Sequence, residues 1–279
     1  MVKKKSFLKK FFLYFAIIIL LILFIFPIYW MVIASLKDNA VLMRMPPQLY
    51  PTFSTFENYI SVLTNLKYLN YIKNSLIVAG GTVLVDLILA TFAGYSLSRY
   101  RYPGRKTIMT AFLSAQVFPM VVIIISLYEF FTKVRLMNSY TGMILADVAM
   151  SLPLSVWILK SFCDSVPKSL DEAARIDGCG RFMTMVKVVV PLMKPGMLAV
   201  GIYAFLMAWD DYLLALVIMT KTSMKTLPVG IAETFLGEFG FDYAGMMTIS
   251  FVAALPVLLL FLIFQKYMVA GLTGGAIKE

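Results

Sequence analysis

The sequence predicts an all-α membrane protein with six transmembrane helices, and two observations lead to this fold class. Hydrophobic residues make up 61% of the 279 positions and charged residues only 14%. Soluble domains contain about 45–50% apolar and about 25% charged residues. The apolar residues are also gathered into six long runs between charged residues, and a spanning helix needs roughly 20 mainly apolar residues.

Three of the six runs contain no charge, and the other three are interrupted only by aspartates. In chain order the runs are 11–36, 74–98, 107–128, 136–159, 195–220 and 243–265. The first run follows a lysine-rich stretch, as the apolar region of a secretory signal does. Such a region is only about 7–15 residues long, so we expect a retained first span.

The distribution of positive charge predicts that both termini are cytoplasmic. Six spans place the two termini on the same side, and 17 of the 25 Lys and Arg residues lie on that side. Cytoplasmic loops carry an excess of these residues. The formal net charge of +10 is therefore mainly an orientation signal, and the basic cluster over 99–106 is interpreted as topology and lipid contact rather than nucleic-acid binding.

The residue types exclude several classes of site. The chain has no histidine, which excludes His-based triads and His-ligated metals. Its two cysteines, Cys163 and Cys179, are too few for a disulfide scaffold or a four-cysteine zinc site. Both fall in the predicted cytoplasmic loop 160–194, so we expect them to be reduced. We therefore predict neither a catalytic nor a metal site.

The loop 160–194 is the most informative connection, because plain helix–helix connections have about 2–8 residues. Ser169 and Glu172 form a Ser-x-x-Glu capping-box pattern, and Gly178 stands where a glycine ends a helix. These signals predict a two-turn helix over 170–177.

A second helical segment is predicted over 181–190, with Pro191 and Pro195 ending it before the fifth span. An isolated two-turn helix is not stable in water. The first helix of the loop therefore either docks into a partner or packs as a surface hairpin at the membrane face, and its pattern leaves both open.

In the opposite, longest loop 37–73, the stretch 55–66 predicts a short surface helix.

Glu172-Ala173-Ala174, then Gly178, then Val188-Val189-Val190-Pro191 resembles the EAA loop of binding-protein-dependent ABC importer permeases. That family has Glu-Ala-Ala, three residues, Gly, nine residues and Ile-x-Leu-Pro, so the spacing agrees and two valines replace Ile and Leu. The stretches 95–104, 209–213, 226–230 and 271–275 are similar to the MalG-like permeases of the carbohydrate-uptake branch.

The resemblance implies a type I ABC importer permease fold in a bacterial or archaeal inner membrane. It also implies four kinds of partner: a second, MalF-like permease, two ATP-binding-cassette subunits, an extracytoplasmic solute-binding protein, and a sugar of the oligosaccharide, maltodextrin type. The ATPase-coupling residues would be Glu172, Ala173, Ala174, Asp177 and Gly178. A second contact with the ATPases would come from the tail residues Gly271, Leu272, Thr273, Gly274 and Gly275.

This resemblance suggests a division into three segments. Residues 1–70 form the first span and an extracytoplasmic loop, 71–266 the permease domain with its coupling loop 165–191, and 267–279 a cytoplasmic tail. The sequence lacks a phosphate loop of the form Gly, four residues, Gly-Lys-Ser/Thr. We therefore expect a transport subunit without ATPase activity or a cofactor of its own, driven by ATP hydrolysis in its partners.

Ionisable residues inside spans are costly and are functional candidates by default. Trp209, Asp210, Asp211 and Tyr212 form a candidate lining of the translocation pathway. The alternative for the two acids is a gate or a helix-packing role, and the family has Asn where Asp210 stands. For Asp86 and Asp147 the simplest interpretation is a hydrogen bond to a neighbouring helix or to the partner permease.

Two other functional classes compete with an importer permease. A self-contained secondary transporter is expected to show inverted repeats with paired broken spans, which the sequence does not show. An intramembrane aspartyl protease resembles a Tyr-Asp plus Gly-x-Gly-Asp pattern, and neither motif is present.

Overall fold

The computed structural model describes the backbone of residues 2–50, 55–235 and 242–276, and the side chains within 9–50, 55–235 and 242–265. Within these ranges the regular structure is entirely helical. The α-helices are α1 (Val2–Ser35), α2 (Asn39–Leu42), α3 (Glu57–Thr64), α4 (Leu66–Arg99), α5 (Arg105–Ala115), α6 (Met120–Lys133), α7 (Tyr140–Ser165), α8 (Lys168–Ile176), α9 (Arg181–Thr184), α10 (Val190–Leu192), α11 (Lys194–Trp209), α12 (Leu213–Ile218), α13 (Leu227–Phe235) and α14 (Tyr243–Ala276). A π-helical turn, Met185–Val189, joins α9 to α10, and a 3-10 turn, Thr222–Met224, precedes α13.

Four of the described helices are individually long and apolar enough to cross a membrane. They are Lys9–Ser35, Leu66–Arg99, Tyr140–Ser165 and Tyr243–Gln265. Two bent pairs raise the number to six if each pair is one span: Arg105–Ala115 with Met120–Lys133, and Arg181–Leu192 with Lys194–Trp209. The predicted all-α class is confirmed, and the predicted six spans are reached when each bent pair counts as one. The second pair begins at Arg181, inside the predicted loop, instead of at residue 195.

The third predicted span, 107–128, is not one straight helix. Its two halves, α5 and α6, are bent by 102°. Pro119 immediately precedes α6, and a proline disfavours helical backbone at the residue before it. The helix therefore cannot continue through Phe118. Apolar composition alone does not reveal this break, because the run stays hydrophobic across it.

The chain divides into two compact units, the first of which is 1–69 together with 231–256. In this unit the side chains of residues 9–29 on α1 are all exposed, as expected for a helix that is apolar all round and meets lipid or other helices. The predicted surface helix of the long loop is present as α3. Asn58 ties α3 to the end of α1 by donating hydrogen bonds to the carbonyls of Ser35 and Lys37 at 2.9 and 3.0 Å.

The second unit, 70–230 with 257–279, has two apolar cores that both include residues of α4 and α7. One core surrounds Tyr95, Leu159 and Val189, and the other surrounds Val78 and Met143. Cys163 and Cys179 are both free, as expected. Cys163, however, is buried in α7 instead of the loop, because α7 extends to Ser165 beyond the apolar run that predicted it.

Gly94 lies at a close approach of the α4 and α7 backbones. A Cβ atom at this position would lie 2.9 Å from the backbone nitrogen of Lys160 and 3.2 Å from the carbonyl carbon of Leu159. Backbone atoms cannot move aside as a flexible side chain can, so only glycine allows the two helices to pack at this distance. A Cβ atom at Gly80, on the same helix, would meet no described atom within 4 Å beyond the adjacent backbone of its own helix.

We predict that Gly94→Ala lowers the stability of the protein by about 1–3 kcal/mol, the usual cost of overpacking a core. Gly80→Ala is the matched control, since it adds the same methyl group to open space. The thermal midpoint in detergent should fall for Gly94→Ala alone. Equal midpoints for the two variants would contradict the close approach of α4 and α7.

Candidate functional site

The EAA-like residues lie on α8, which begins one residue before the predicted capping serine. Pro167 precedes the helix, and no side chain caps its first turn. The predicted capping box is therefore wrong. Ser169 already has helical backbone within the first turn, whereas an N-cap residue must be outside the helix for its hydroxyl to reach the free amides.

The end of α8 agrees with its prediction. Gly178 has a positive φ of 83°, and the amide of Cys179 donates to the carbonyl of Ala174 at 2.9 Å. The amide of Gly178 donates to the carbonyl of Arg175 at 3.0 Å. This pair of bonds is a Schellman motif, which closes a helix around a left-handed glycine.

The predicted coupling residues divide between two faces of α8. Asp171 and Ala174 are buried, whereas Glu172, Ala173 and Asp177 are exposed. Beside them, Ile176 is 88% exposed. The helix thus presents carboxylates together with small and apolar side chains on a surface that the described part of the chain leaves uncovered.

Arg99, at the end of α4, holds the buried face of α8. Its Nε lies 2.6 Å from Oδ2 of Asp171, and the two side chains are only 5% and 6% exposed. Its Nη2 also donates to the carbonyl of Val166 at 2.9 Å. The interpretation of the basic cluster as lipid contact is therefore wrong for Arg99, whose side chain is buried against α8. The sequence contains one sign of this pairing: an acid, Asp171, stands directly before Glu172 of the EAA motif.

The next part of the loop also contacts the end of α4. The ring of Phe182 stacks on Phe92 with centroids 6.2 Å apart, and the guanidinium of Arg181 lies 5.5 Å from the centre of the Tyr100 ring. Both halves of the loop therefore rest on the same helix end.

Pro191 does not end this segment as predicted. It lies inside α10, directly after the π-helical turn Met185–Val189. A π turn has a wider hydrogen-bond spacing than an α-helix, and a proline is tolerated in the first turn of a new α segment. The segment ends at Leu192, and Pro195 lies in the first turn of α11.

The second candidate region lies at a break in the fifth predicted span. α11 ends at Trp209 and α12 begins at Leu213, so the span 195–220 is not continuous. Asp211 accepts hydrogen bonds from the amides of Leu214 at 3.4 Å and Ala215 at 2.8 Å. Its carboxylate therefore satisfies amides that the start of α12 leaves free.

Three of the four predicted pathway residues line one open cavity of about 440 Å³. These are Asp210, Asp211 and Tyr212, and they share the cavity with Met120, Tyr203, Leu206, Met207 and Leu213. The structure does not place Trp209 with them. It is 3% exposed and stacks on Phe205 with centroids 5.4 Å apart.

The two remaining acids within spans are both buried. Asp86 accepts a hydrogen bond from the Ser151 hydroxyl of α7 at 2.8 Å, which confirms the predicted bond to a neighbouring helix. Asp147, on α7, is 4% exposed. Among the described residues, no group of three or more His, Cys, Asp or Glu could hold a metal ion.

The backbone of the predicted tail contact continues α14, which extends to Ala276. The side chains of Gly271, Leu272, Thr273, Gly274 and Gly275 lie outside the described residues. Their contact with an ATPase stays a prediction.

Comparison with known proteins agrees with this architecture. The trehalose/maltose transport system permease protein MalG of Thermococcus litoralis is 34% identical over 278 residues, 99% of each chain. The sulfoquinovosyl glycerol transport system permease protein SmoH of Agrobacterium fabrum is 36% identical over 260 residues, 93% of this chain and 91% of that protein. The diacetylchitobiose uptake system permease protein DasC of Streptomyces coelicolor is 33% identical, with 94% of each chain covered.

Among solved structures, the crystal structure of a bacterial ABC transporter that imports the acidic polysaccharide alginate matches with a TM-score of 0.81. It covers 93% of this chain and 96% of that one at 19% identity, which confirms the predicted importer permease fold. The profile of the binding-protein-dependent transport system inner membrane component matches residues 86–274. The chain therefore belongs to the family of binding-protein-dependent transport system inner membrane components.

Proposed function

We propose that this chain is a permease subunit of an ATP-driven importer of sugars, with an oligosaccharide of the maltodextrin type as substrate. The names of the relatives support a sugar or glycoside substrate, since they refer to trehalose and maltose, diacetylchitobiose and sulfoquinovosyl glycerol. Maltose supports the narrower choice of the maltodextrin type. The chain contributes part of the membrane pathway, and a MalF-like permease contributes the rest. An extracytoplasmic binding protein delivers the sugar.

The single observation that supports the energy-coupling role is the exposed face of α8. A short helix that projects from the bundle normally needs burial to be stable. Here the inner face is fixed through Asp171 while Glu172, Ala173 and Ile176 are exposed. This combination suits a helix that inserts into a cleft of a cytoplasmic ATPase, with Glu172 paired to a basic group there. Two such ATPases, the tail contact and cytoplasmic termini complete the proposed assembly.

The two acids at the break have different roles in this proposal. Asp211 acts structurally, because its carboxylate caps α12. Asp210 is exposed on the cavity, where a carboxylate can accept hydrogen bonds from sugar hydroxyls. Asp210 and Tyr212 are thus the groups proposed to contact the sugar, whereas Asp211, which also lines the cavity, stabilises the start of α12.

We predict that Glu172→Lys and Gly178→Val each lower ATP-driven uptake at least tenfold while the protein stays in the membrane. The first change reverses the charge offered to the ATPase, and tenfold corresponds to only about 1.4 kcal/mol of lost interaction. The second puts a β-branched residue at a positive φ, which L side chains strongly disfavour. The measurement is uptake and ATP hydrolysis by the complete importer in liposomes.

Glu129→Lys is the matched control, because Glu129 is also an exposed helical glutamate, 69% exposed at its side chain. It should transport at the rate of the unaltered protein. Normal uptake and normal stimulation of ATP hydrolysis in both α8 variants would exclude α8 as the coupling helix.

We further predict that Asp210→Ala and Asp211→Ala separate substrate recognition from stability. Asp210→Ala should raise the KM for uptake severalfold with an unchanged thermal midpoint, because only a cavity-facing acceptor is lost. Asp211→Ala should lower the midpoint, since replacing a capping residue by Ala costs about 0.5–2 kcal/mol. Uptake of labelled maltose, trehalose and diacetylchitobiose gives the KM values, and an unchanged KM for Asp210→Ala would remove it from the pathway.

A further inference from the structure

α4 makes buried polar contacts at three places: its C-terminal end, its middle, and a point about two turns after its N-terminal end. Near one end, Arg99 pairs with Asp171 of α8 at 2.6 Å. In the middle, Asp86 accepts from Ser151 of α7. Near the other end, Asn74 and Ser75 hold the segment 222–230, which follows the broken fifth span. One helix therefore contacts both the loop of the EAA motif and a segment far from it.

The contacts of Asn74 and Ser75 are specific. The Asn74 amide donates to the carbonyls of Ser223 at 3.0 Å and Lys225 at 2.9 Å. The Ser75 hydroxyl accepts from the amide of Leu227 at 2.8 Å. Asn74 and Ser75 are 2% and 1% exposed, so water cannot replace these bonds without opening the packing.

The orientation of Asn74 is itself fixed by a neighbouring helix. Its side-chain oxygen accepts a hydrogen bond from the hydroxyl of Tyr140, at the start of α7, at 2.7 Å. With its oxygen occupied by Tyr140, the amide nitrogen of Asn74 is directed at the two carbonyls. The segment 222–230 is therefore tied to α4 in one register.

The helical path between the two ends of α4 is unbroken. α4 continues from Leu66 to Arg99 without interruption, and at 1.5 Å per residue the distance from Asn74 to Arg99 is about 38 Å. The direct covalent route from the loop to 222–230 passes instead through α11 and α12. That route is broken at Asp210–Tyr212, where a change in backbone angles can absorb movement.

We propose that α4 is the mechanical link between the EAA-motif loop and the segment 222–230, with Arg99 and Asn74 as positioning residues at its two ends. The proposal rests on the proposed function, because the movement originates where an ATPase engages α8. Sliding α8 past Arg99 would separate a buried ion pair, which is strongly unfavourable. Displacement of the loop therefore moves α4, and α4 carries 222–230 with it.

The experiment is hydrogen–deuterium exchange on the complete importer in lipid nanodiscs, with and without ADP–vanadate. In the unaltered protein, trapping should change the exchange of amides in both 168–178 and 222–230. In Arg99→Gln and in Asn74→Ala, the change in 168–178 should persist, whereas the change in 222–230 should fall at least fivefold. A purely structural loss of α4 packing would alter exchange equally with and without nucleotide.

Lys133→Gln is the control, since it breaks a salt bridge whose side chains are 77% and 69% exposed and should leave both responses intact. Ser75→Ala, a smaller change at the same end as Asn74, tests the link if Arg99→Gln fails to accumulate. The charge-swapped double variant, Arg99→Asp with Asp171→Arg, should recover at least half of the response that 222–230 shows in the unaltered protein.

Two negative results have different meanings. If 168–178 does not respond in the unaltered protein, the ATPase does not act on α8, and the proposed function fails together with the link. If 168–178 responds and 222–230 responds equally in Arg99→Gln, Asn74→Ala and the unaltered protein, the proposed function stands and α4 is not the link.

Discussion

The buried ion pair between Arg99 and Asp171 is the contact on which the EAA-motif loop depends. Removing one partner of such a pair leaves an uncompensated buried charge and costs about 3–5 kcal/mol. With the pair intact, the short α8 has a fixed inner face, and its outer face, with Glu172, is exposed among the described residues. Phe182 and Arg181 then bind the following part of the loop to the same end of α4. The loop is therefore part of the bundle's packing rather than a mobile hairpin.

A second constraint comes from the bilayer, where every backbone polar group needs a partner within the protein. This explains how a span can break at Asp210–Tyr212. The carboxylate of Asp211 accepts from two amides at the start of α12, so the interruption does not leave those groups unpaired. The same break places Asp210 on an open cavity. Asp211, an acid that would be costly in an unbroken apolar helix, thus stabilises the irregular backbone at the break.

The sequence predicts the features that depend on local composition and spacing. The apolar runs locate the spans, and the glycine stop at Gly178 is recognised because a left-handed residue is needed within a few positions of the helix end. The capping box fails because Pro167 starts the helix earlier than the Ser-x-x-Glu pattern implies. The pairing of Arg99 with Asp171, and the burial of Trp209 away from the cavity, depend on contacts between distant parts of the chain. No periodicity in the sequence encodes which charged residue meets which.

In the proposed mechanism, Arg99 and Asp171 act as one unit in connecting ATP hydrolysis to transport. A double-mutant cycle of Arg99→Gln, Asp171→Asn and the double variant, measured as sugar taken up per ATP hydrolysed by the complete importer, tests it most directly. Each single change should lower this ratio strongly, and the double variant should be no worse than either single variant. Strictly additive losses would contradict it, because they would mean that the two residues act independently.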